Sequence, residues 1–403
     1  MNELKKRIPE GTQDYLPVEC RQKRLLEQRI ERVFDEWGYQ QVETPVLEYL
    51  SPAGSAGGFQ QERLFKLVDG QGRLLVLRPD ITLPLARVAA TRMREAEWLR
   101  LCYRGNVFSF TGEEGSGGLK EYTQMGVELM GPTGVDGDAE VIALAIRVMQ
   151  AAGLTGFQMD IGQVGFFKGL IEEAGFDAAE TERIRELVEQ KNFLALELRL
   201  QQAGVSGRLR NNILELPALY GDADVLRTAR TYSANRRCRQ ALDNIEEMLS
   251  ILAAYGLDSH VTIDLGMVHS IHYYTGIIFR GMVEHLGYPI VTGGRYDRLV
   301  GEFGRDLPAT GFALGVKAAL IALERQGVLG TERPPLDRLV GFDSGCRTQA
   351  IGYIQAARAD GLTVEQYFGD RERLARDAAR RNATQAVWVG AQGIEVVWEG
   401  ARP

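Results

Sequence analysis

From about Asp177 to Ala254 the chain reads as helix throughout and is dense in charge, yet strand signals stand on both sides of that block. No other feature limits the fold as much. The flanking strands must pair with one another, because a lone strand leaves its backbone groups unsatisfied. The helical block is then a subdomain inserted into a strand-bearing core, and the fold class is α+β. Strand signals before the block cover Arg73–Arg78, Leu101–Phe108, Lys120–Met130 and Phe157–Ile161. Those after it cover Val261–Leu265, Tyr273–Phe279 and Tyr288–Thr292. Tyr39–Val46 reads as one more strand, interrupted by Pro45; a proline cannot donate to the ladder, so it belongs at an edge or an interface.

Helices frame these strands. Leu26, Ile30, Val33, Phe34 and Trp37 recur at spacings of three and four, which predicts a helix over Arg21–Trp37 ended by Gly38. Asp138 reads as the N-cap of a helix Ala139–Ala152 closed by Gly153, and Phe166–Ala174 reads as another helix. Pro334-Pro335 marks a linker. Beyond it, Arg338–Phe342, Gln349–Ala359, Thr363–Tyr367, Arg371–Arg381, Gln385–Val389 and Ile394–Trp398 read β-α-β-α-β-β. Three regions follow: a core over 1–325, its helical insertion over 177–254, and a small C-terminal α/β domain over 334–403.

Composition excludes several classes. Hydrophobic residues make up 45% and charged residues 25%, enough apolar matter for a core without disulfide or metal staples. The four cysteines, Cys20, Cys102, Cys238 and Cys346, form no C-x-x-C pair and read as reduced thiols of a cytoplasmic protein. Met1–Arg7 is not backed by an apolar stretch, and no run approaches the ~18 apolar residues of a membrane span. A net charge of −7 disfavours bulk nucleic-acid binding.

Lys120–Met130 carries the most chemical information. Tyr122, Gln124, Gly126, Glu128 and Met130 share one face, and Thr123, Met125, Val127 and Leu129 share the other, which is mostly apolar and should meet the core. Gln124 and Glu128 lie about 13 Å apart along the strand at ~3.3 Å per residue, a span that could hold the two ends of an amino acid. On pattern alone, a solvated face on an edge strand is the simpler reading. Asp80 and Thr82 offer acceptors for an ammonium group, but Thr82 would equally cap a helix over Leu83–Ala90. The loop Thr111–Gly118 is glycine-rich but lacks the G-K-[ST] ending of a phosphate loop, and its only charges are acidic. His269 and His272 would point to opposite faces of a strand, a poor metal pair, so no metal or cofactor is expected. Tyr273-Tyr274-Thr275-Gly276 and Gly293-Gly294-Arg295-Tyr296-Asp297 suit a ligand wall or a core rim equally.

Taken in order, these runs resemble the histidyl-tRNA synthetase family. Pro9–Pro17 is similar to that family's opening, Val42–Glu48 to motif 1 of class II synthetases, and Arg78–Thr82 to an Arg-Pro-Glu-Gly-Thr stretch. Gln124–Glu128 is similar to the end of motif 2, the two tyrosine runs to the histidine-specific motifs, and Gly311–Gly315 to the start of motif 3. The resemblance covers about residues 7–325. It implies an antiparallel class II sheet, self-association as a dimer through motif 1, and histidine contacts from Asp80, Thr82, Gln124, Glu128, Tyr273, Tyr274 and Tyr296.

The departures bear on function. The arginines that the family carries in motif 2, in the histidine motif and in motif 3 are replaced by Ser109, His269 and Ala318, and the glutamate of motif 3 by Lys317. Adenylation develops charge on the α-phosphate oxygens, which needs fixed cations; one such donor is worth about 10²–10³ in rate. Serine, alanine and neutral histidine cannot supply a permanent planar cation. The C-terminal region has nine arginines and no lysine against nine carboxylates, without the surplus expected for tRNA. The resemblance therefore narrows to the synthetase-like regulatory subunits of short-form ATP phosphoribosyltransferase. Their implied properties are no catalysis of their own, assembly with a short catalytic subunit as a hetero-octamer, and feedback control by histidine in the first step of histidine biosynthesis. The replaced arginine at His269 also holds the substrate carboxylate in the family, which leaves the old pocket and the subunit interface both open as the histidine site. A true histidyl-tRNA synthetase and a stand-alone histidine-binding paralogue are the alternatives.

Overall fold

The computed structural model describes residues 6–50, 61–110, 115–205, 207–268, 274–330 and 336–400. The chain divides into two compact units, Met1–Leu329 and Gly330–Pro403.

The first unit opens with helix α1 (Pro17–Glu36), four residues earlier than periodicity predicts. Pro17 sits in its first turn and the Glu19 carboxylate accepts the Leu16 N–H at 2.7 Å, a start set by capping rather than by the apolar stripe. Gly38, at φ +75°, ends the helix. Strands β1 (Gln40–Gln41), β2 (Leu47–Tyr49), β3 (Lys66–Val68) and β4 (Leu74–Leu77) follow, then helix α2 (Thr82–Thr91). The predicted strand Tyr39–Val46 is reduced to β1, because the guanidinium of buried Arg78 takes the Thr44 carbonyl at 2.7 Å and Pro45 has no N–H to pair.

The rest of the unit is β5 (Leu99–Phe108), β6 (Glu121–Met130), helix α3 (Val135–Ala152), β7 (Phe157–Gln163) and helix α4 (Val164–Ala174). The inserted block holds α5 (Ala178–Glu189), α6 (Phe193–Gln202), α7 (Gly207–Glu215), α8 (Asp224–Arg230) and α9 (Arg236–Ala254). It is not wholly helical: Tyr220–Gly221 forms β8, which pairs with β9 (Val261–Asp264) and ties the insertion to the sheet. Strands β10 (Ile277–Val283), β11 (Val291–Arg295) and β12 (Ala309–Gly315) and helix α10 (Val316–Arg325) complete the unit.

Nine strands form one sheet in the order β1-β5-β6-β12-β11-β10-β7-β9-β8, antiparallel through its centre, while β2, β4 and β3 form a separate small sheet. The expectation of an edge strand with a solvated face is thus corrected. β6 lies between β5 and β12, and both of its faces are covered. Met125, Val127 and Leu129 join the large core with α3, while Tyr122 and Met130 join a second core with Tyr103, Tyr274 and Tyr296. Period-two alternation sorts residues onto faces; it does not say what covers each face.

Two other expectations are corrected. Asp138 is not an N-cap: α3 starts a turn earlier at Val135, and both Asp138 carboxylate oxygens are held by Arg295 Nε at 2.9 and 3.0 Å. That ion pair is buried, so the aspartate is committed to Arg295 and not to the helix start. The strands predicted at Tyr273–Phe279 and Tyr288–Thr292 begin later, at Ile277 and Val291. Gly293 and Gly294 lie within β11.

The second unit contains β13 (Leu336–Phe342), α11 (Arg347–Ala359), β14 (Val364–Gln366), α12 (Arg371–Arg380), β15 (Ala383–Gly390) and β16 (Gly393–Glu399). The order is β14-β13-β15-β16, parallel except for β16, with a small apolar cluster on each face. Among the described residues no helix is long and apolar enough to cross a membrane.

Candidate functional site

Glu128 is the centre of the site. β6 carries it onto the middle of the sheet, where it is 1% exposed. One carboxylate oxygen accepts the Thr82 hydroxyl at 2.7 Å, and the other accepts the Tyr296 hydroxyl. Burial, with a smaller push from the nearby Asp80 charge and against the pull of those two hydrogen bonds, raises its pKa from 4.5 to about 8. At neutral pH Glu128 therefore holds a proton for most of the time, which it can share with a basic ring.

Backbone register makes room for this group. Glu128 pairs with Gly311 on β12, and Gly311 pairs with Gly294 on β11. A Cβ on Gly311 would collide with the Glu128 carboxylate, and one on Gly294 would sit 2.9 Å from the Tyr274 ring. The two glycines form a floor without side chains, over which a carboxyl group and an aromatic ring lie close to the sheet.

The other expected residues fall as follows. Thr82 is the first residue of α2 rather than its cap; Ile81 holds the cap position, and an Asp80 oxygen accepts the Leu83 N–H at 3.3 Å. Asp80 and Thr82 are both buried. Gln124 lies on the same face of β6 as Glu128, and its side-chain oxygen is buried without a hydrogen-bond partner among the described residues. Such an acceptor is costly unless a ligand or solvent donor meets it. Tyr274 and Tyr296 are buried in the core that lines this face. The structure thus brings Thr82, Glu128 and Tyr296 into direct contact, with Asp80 near Glu128, Tyr274 over Gly294, and Gln124 four residues along the same strand face. Tyr273 and His269 lie outside the described residues.

Sequence reasoning missed Tyr103. It stands on β5 opposite Gly126, fully buried, and burial holds its hydroxyl well above the usual tyrosine pKa. An aromatic residue facing a glycine is a recognisable pair, but the register that joins them depends on strands far apart in sequence.

The opposite end of β6 is built differently. Ser109 and Ala318 are buried at 1% and 0% exposure. Gly115 packs against Gly315, where α10 starts, and Lys317 lies 5.7 Å from the Tyr15 ring centre. No arginine stands at either position. A separate cavity of about 810 Å³ opens over Asp160, Asp264 and Arg280, away from Glu128. Arg280 already bridges both aspartates, at 3.1 and 3.0 Å. Among the described residues no group of three or more His, Cys, Asp or Glu is placed to hold a metal ion.

The chain is similar to known proteins over most of its length. The histidyl-tRNA synthetase family profile matches residues 11–319. A protein of Acetivibrio thermocellus named ATP phosphoribosyltransferase regulatory subunit is 46% identical over 91% of this chain and 87% of its own length. One of Symbiobacterium thermophilum with the same name is 41% identical over 96% and 98%. The chain belongs to the family of ATP phosphoribosyltransferase regulatory subunits. A Bacillus halodurans crystal structure, described as an ATP phosphoribosyltransferase regulatory subunit/histidyl-tRNA synthetase, superposes with a TM-score of 0.85 at 30% identity, over 96% of this chain and 98% of that one. Histidyl-tRNA synthetase from Nostoc superposes at 0.79 with 22% identity, which speaks for the fold alone. As a member of the regulatory-subunit family, the chain has the class II synthetase-like sheet, with Glu128 buried on it and with buried Ser109 and Ala318 at two positions without an arginine.

Proposed function

We propose that this chain acts without catalysis of its own, as the histidine-sensing partner of a short ATP phosphoribosyltransferase catalytic subunit, in a hetero-oligomer that includes a dimer of this chain. The observation that carries the reading is the contact of Glu128 with Thr82 and Tyr296, set beside buried Ser109 and Ala318. A buried carboxyl titrating near 8 suits imidazole, which titrates near 6.5 and offers two ring nitrogens. The Gln124 oxygen and Asp80 provide acceptors for the α-amino end. Without fixed cations at Ser109 and Ala318, α-phosphate charge has no counterpart, and adenylation is not supported.

Histidine regulates if it binds one assembly state better than another; a 10- to 100-fold preference corresponds to about 1.4–2.7 kcal/mol. The test mixes this chain with a short catalytic subunit from the same genome and measures phosphoribosyl-ATP formation with and without histidine. The chain should activate, and histidine should inhibit. Glu128→Gln should leave the complex assembled and active but raise the histidine needed for inhibition at least about tenfold. Ordinary feedback in that variant would place the effector elsewhere, and absence of any complex would reject the regulatory reading.

A further inference from the structure

The cavity of about 810 Å³ lies where the inserted block meets the sheet. β7 contributes Gln158 and Asp160 to it, β10 contributes Arg280 and Met282, and Asp264 comes from the end of β9. Register pairs Asp160 with Arg280 and Gln158 with Met282, so these four side chains rise on one face of the sheet. The insertion contributes Val188 and Glu189 from the end of α5, Lys191 just beyond it, and Tyr220 of β8. A volume of this size suits a small molecule, and the lining shares no residue with the Glu128 cluster.

Two aspartates share one guanidinium in this cavity. Arg280 Nε donates to Asp160 Oδ2 at 3.1 Å, and Arg280 Nη2 donates to Asp264 Oδ2 at 3.0 Å. The other oxygen of Asp264 accepts the Gly266 N–H at 3.0 Å. The other oxygen of Asp160 meets the Tyr220 hydroxyl only at 3.5 Å, although the Asp160 side chain is 4% exposed. Such an acceptor is left short of a donor and largely shut off from water. Burial holds both carboxyls above their usual pKa, against the pull of Arg280. Glu189 is taken by Arg185 at 2.7 Å. Asp160, Asp264 and Glu284 then stand against Arg280 and Lys191 along the lining, which leaves negative charge in excess.

An under-donated carboxylate oxygen beside an uncancelled charge favours a cation that carries N–H groups. A metal ion fits poorly, because Arg280 bridges the two aspartates and, among the described residues, no third carboxylate, histidine or cysteine completes a metal-holding group with them. A phosphate would add charge of the sign already in excess. Buried Val188, Met267 and Val268, with half-buried Met282, give the cavity an apolar wall. We infer that the cavity binds a small organic cation, an alkyl ammonium or guanidinium whose N–H groups meet Asp160 and whose hydrocarbon stem lies on Met267, Val268 and Met282. The failure of this site would leave the histidine-sensing reading untouched.

Calorimetric titration of the full chain at fixed ionic strength tests it, with agmatine, which carries both a guanidinium and an ammonium, as the probe and butanediol as an uncharged control. Agmatine should bind saturably and butanediol should not. Asp160→Asn should weaken agmatine binding about tenfold or more. Glu395→Gln makes the same change in net charge within the second unit, where Glu395 pairs with Arg371, and should alter nothing. Met282→Lys sets an ammonium of the chain's own on the face that carries Asp160 and Arg280. It should abolish agmatine binding and melt no lower than the parent, a result that does not depend on how well Asp160→Asn folds. Lack of saturable agmatine binding at millimolar concentration, or binding indifferent to both Asp160→Asn and Met282→Lys, overturns the proposal. So would equal binding of butanediol, since the cavity would then select shape and not charge. Displacement of agmatine by magnesium or manganese at unchanged ionic strength would also overturn it, since the site would then hold a metal.

Discussion

The two ends of the synthetase-like cleft share one sheet and differ in what they bury. At one end Glu128 is sealed from water but meets the hydroxyls of Thr82 and Tyr296 over a glycine floor. At the other, Ser109 and Ala318 are small and buried, the Gly115 backbone leans on Gly315, and Lys317 faces the Tyr15 ring. A buried carboxyl is kept only if something satisfies it, whereas a buried alanine has no polar group to satisfy.

That contrast can be broken experimentally. The largest effect should come from Ala318→Arg. Restoring an arginine there inserts a charged, bulky group into a site with no exposure, and it should cost about 3 kcal/mol or more of stability, read from denaturant midpoints. A stable variant with histidine-dependent ATP–pyrophosphate exchange would show instead that the phosphate end has kept its room. Tyr296→Phe is milder. It removes one donor to Glu128 and should weaken histidine binding about tenfold by calorimetry, with little change in fold. An unchanged affinity would remove Tyr296 from the site.

On stability in ordinary buffer, as distinct from histidine sensitivity, Glu128→Gln should have the smallest effect, because the amide resembles the protonated acid. Its signature is a slope. The folded-state pKa of Glu128, about 8, lies above its ordinary 4.5. The native state then binds more protons than the unfolded state between those values. The stability Glu128 contributes is complete below about 4.5 and is lost as pH rises through about 8. Melting curves from pH 5 to 9 should fall less steeply with pH for Glu128→Gln than for the parent, and parallel curves would deny the raised pKa.

Legibility followed the range of the signal. The second unit was readable nearly residue by residue: helix α12 (Arg371–Arg380) and strand β13 (Leu336–Phe342) lie within two residues of where periodicity puts them. α3 ended at Gly153 as expected, yet its start was misread, because Asp138 is held by Arg295, 157 positions away. β10 and β11 begin later than their patterns suggest, and the close approach that the paired glycines permit is made at Gly294, where the absent side chain lets the Tyr274 ring lie against the sheet.

The sequence alone determined which residues share a strand face, where the helical insertion falls, and, through the order of its motifs, the family resemblance. These rest on local periodicity and residue identity, which survive without coordinates. Only the tertiary structure decided that β6 is central and covered on both faces, that Glu128 is buried against Thr82 and Tyr296, and that Ser109 and Ala318 are buried. Burial and cross-strand register are properties of pairs far apart in the chain, and it is burial that turns an ordinary glutamate into a group titrating near 8.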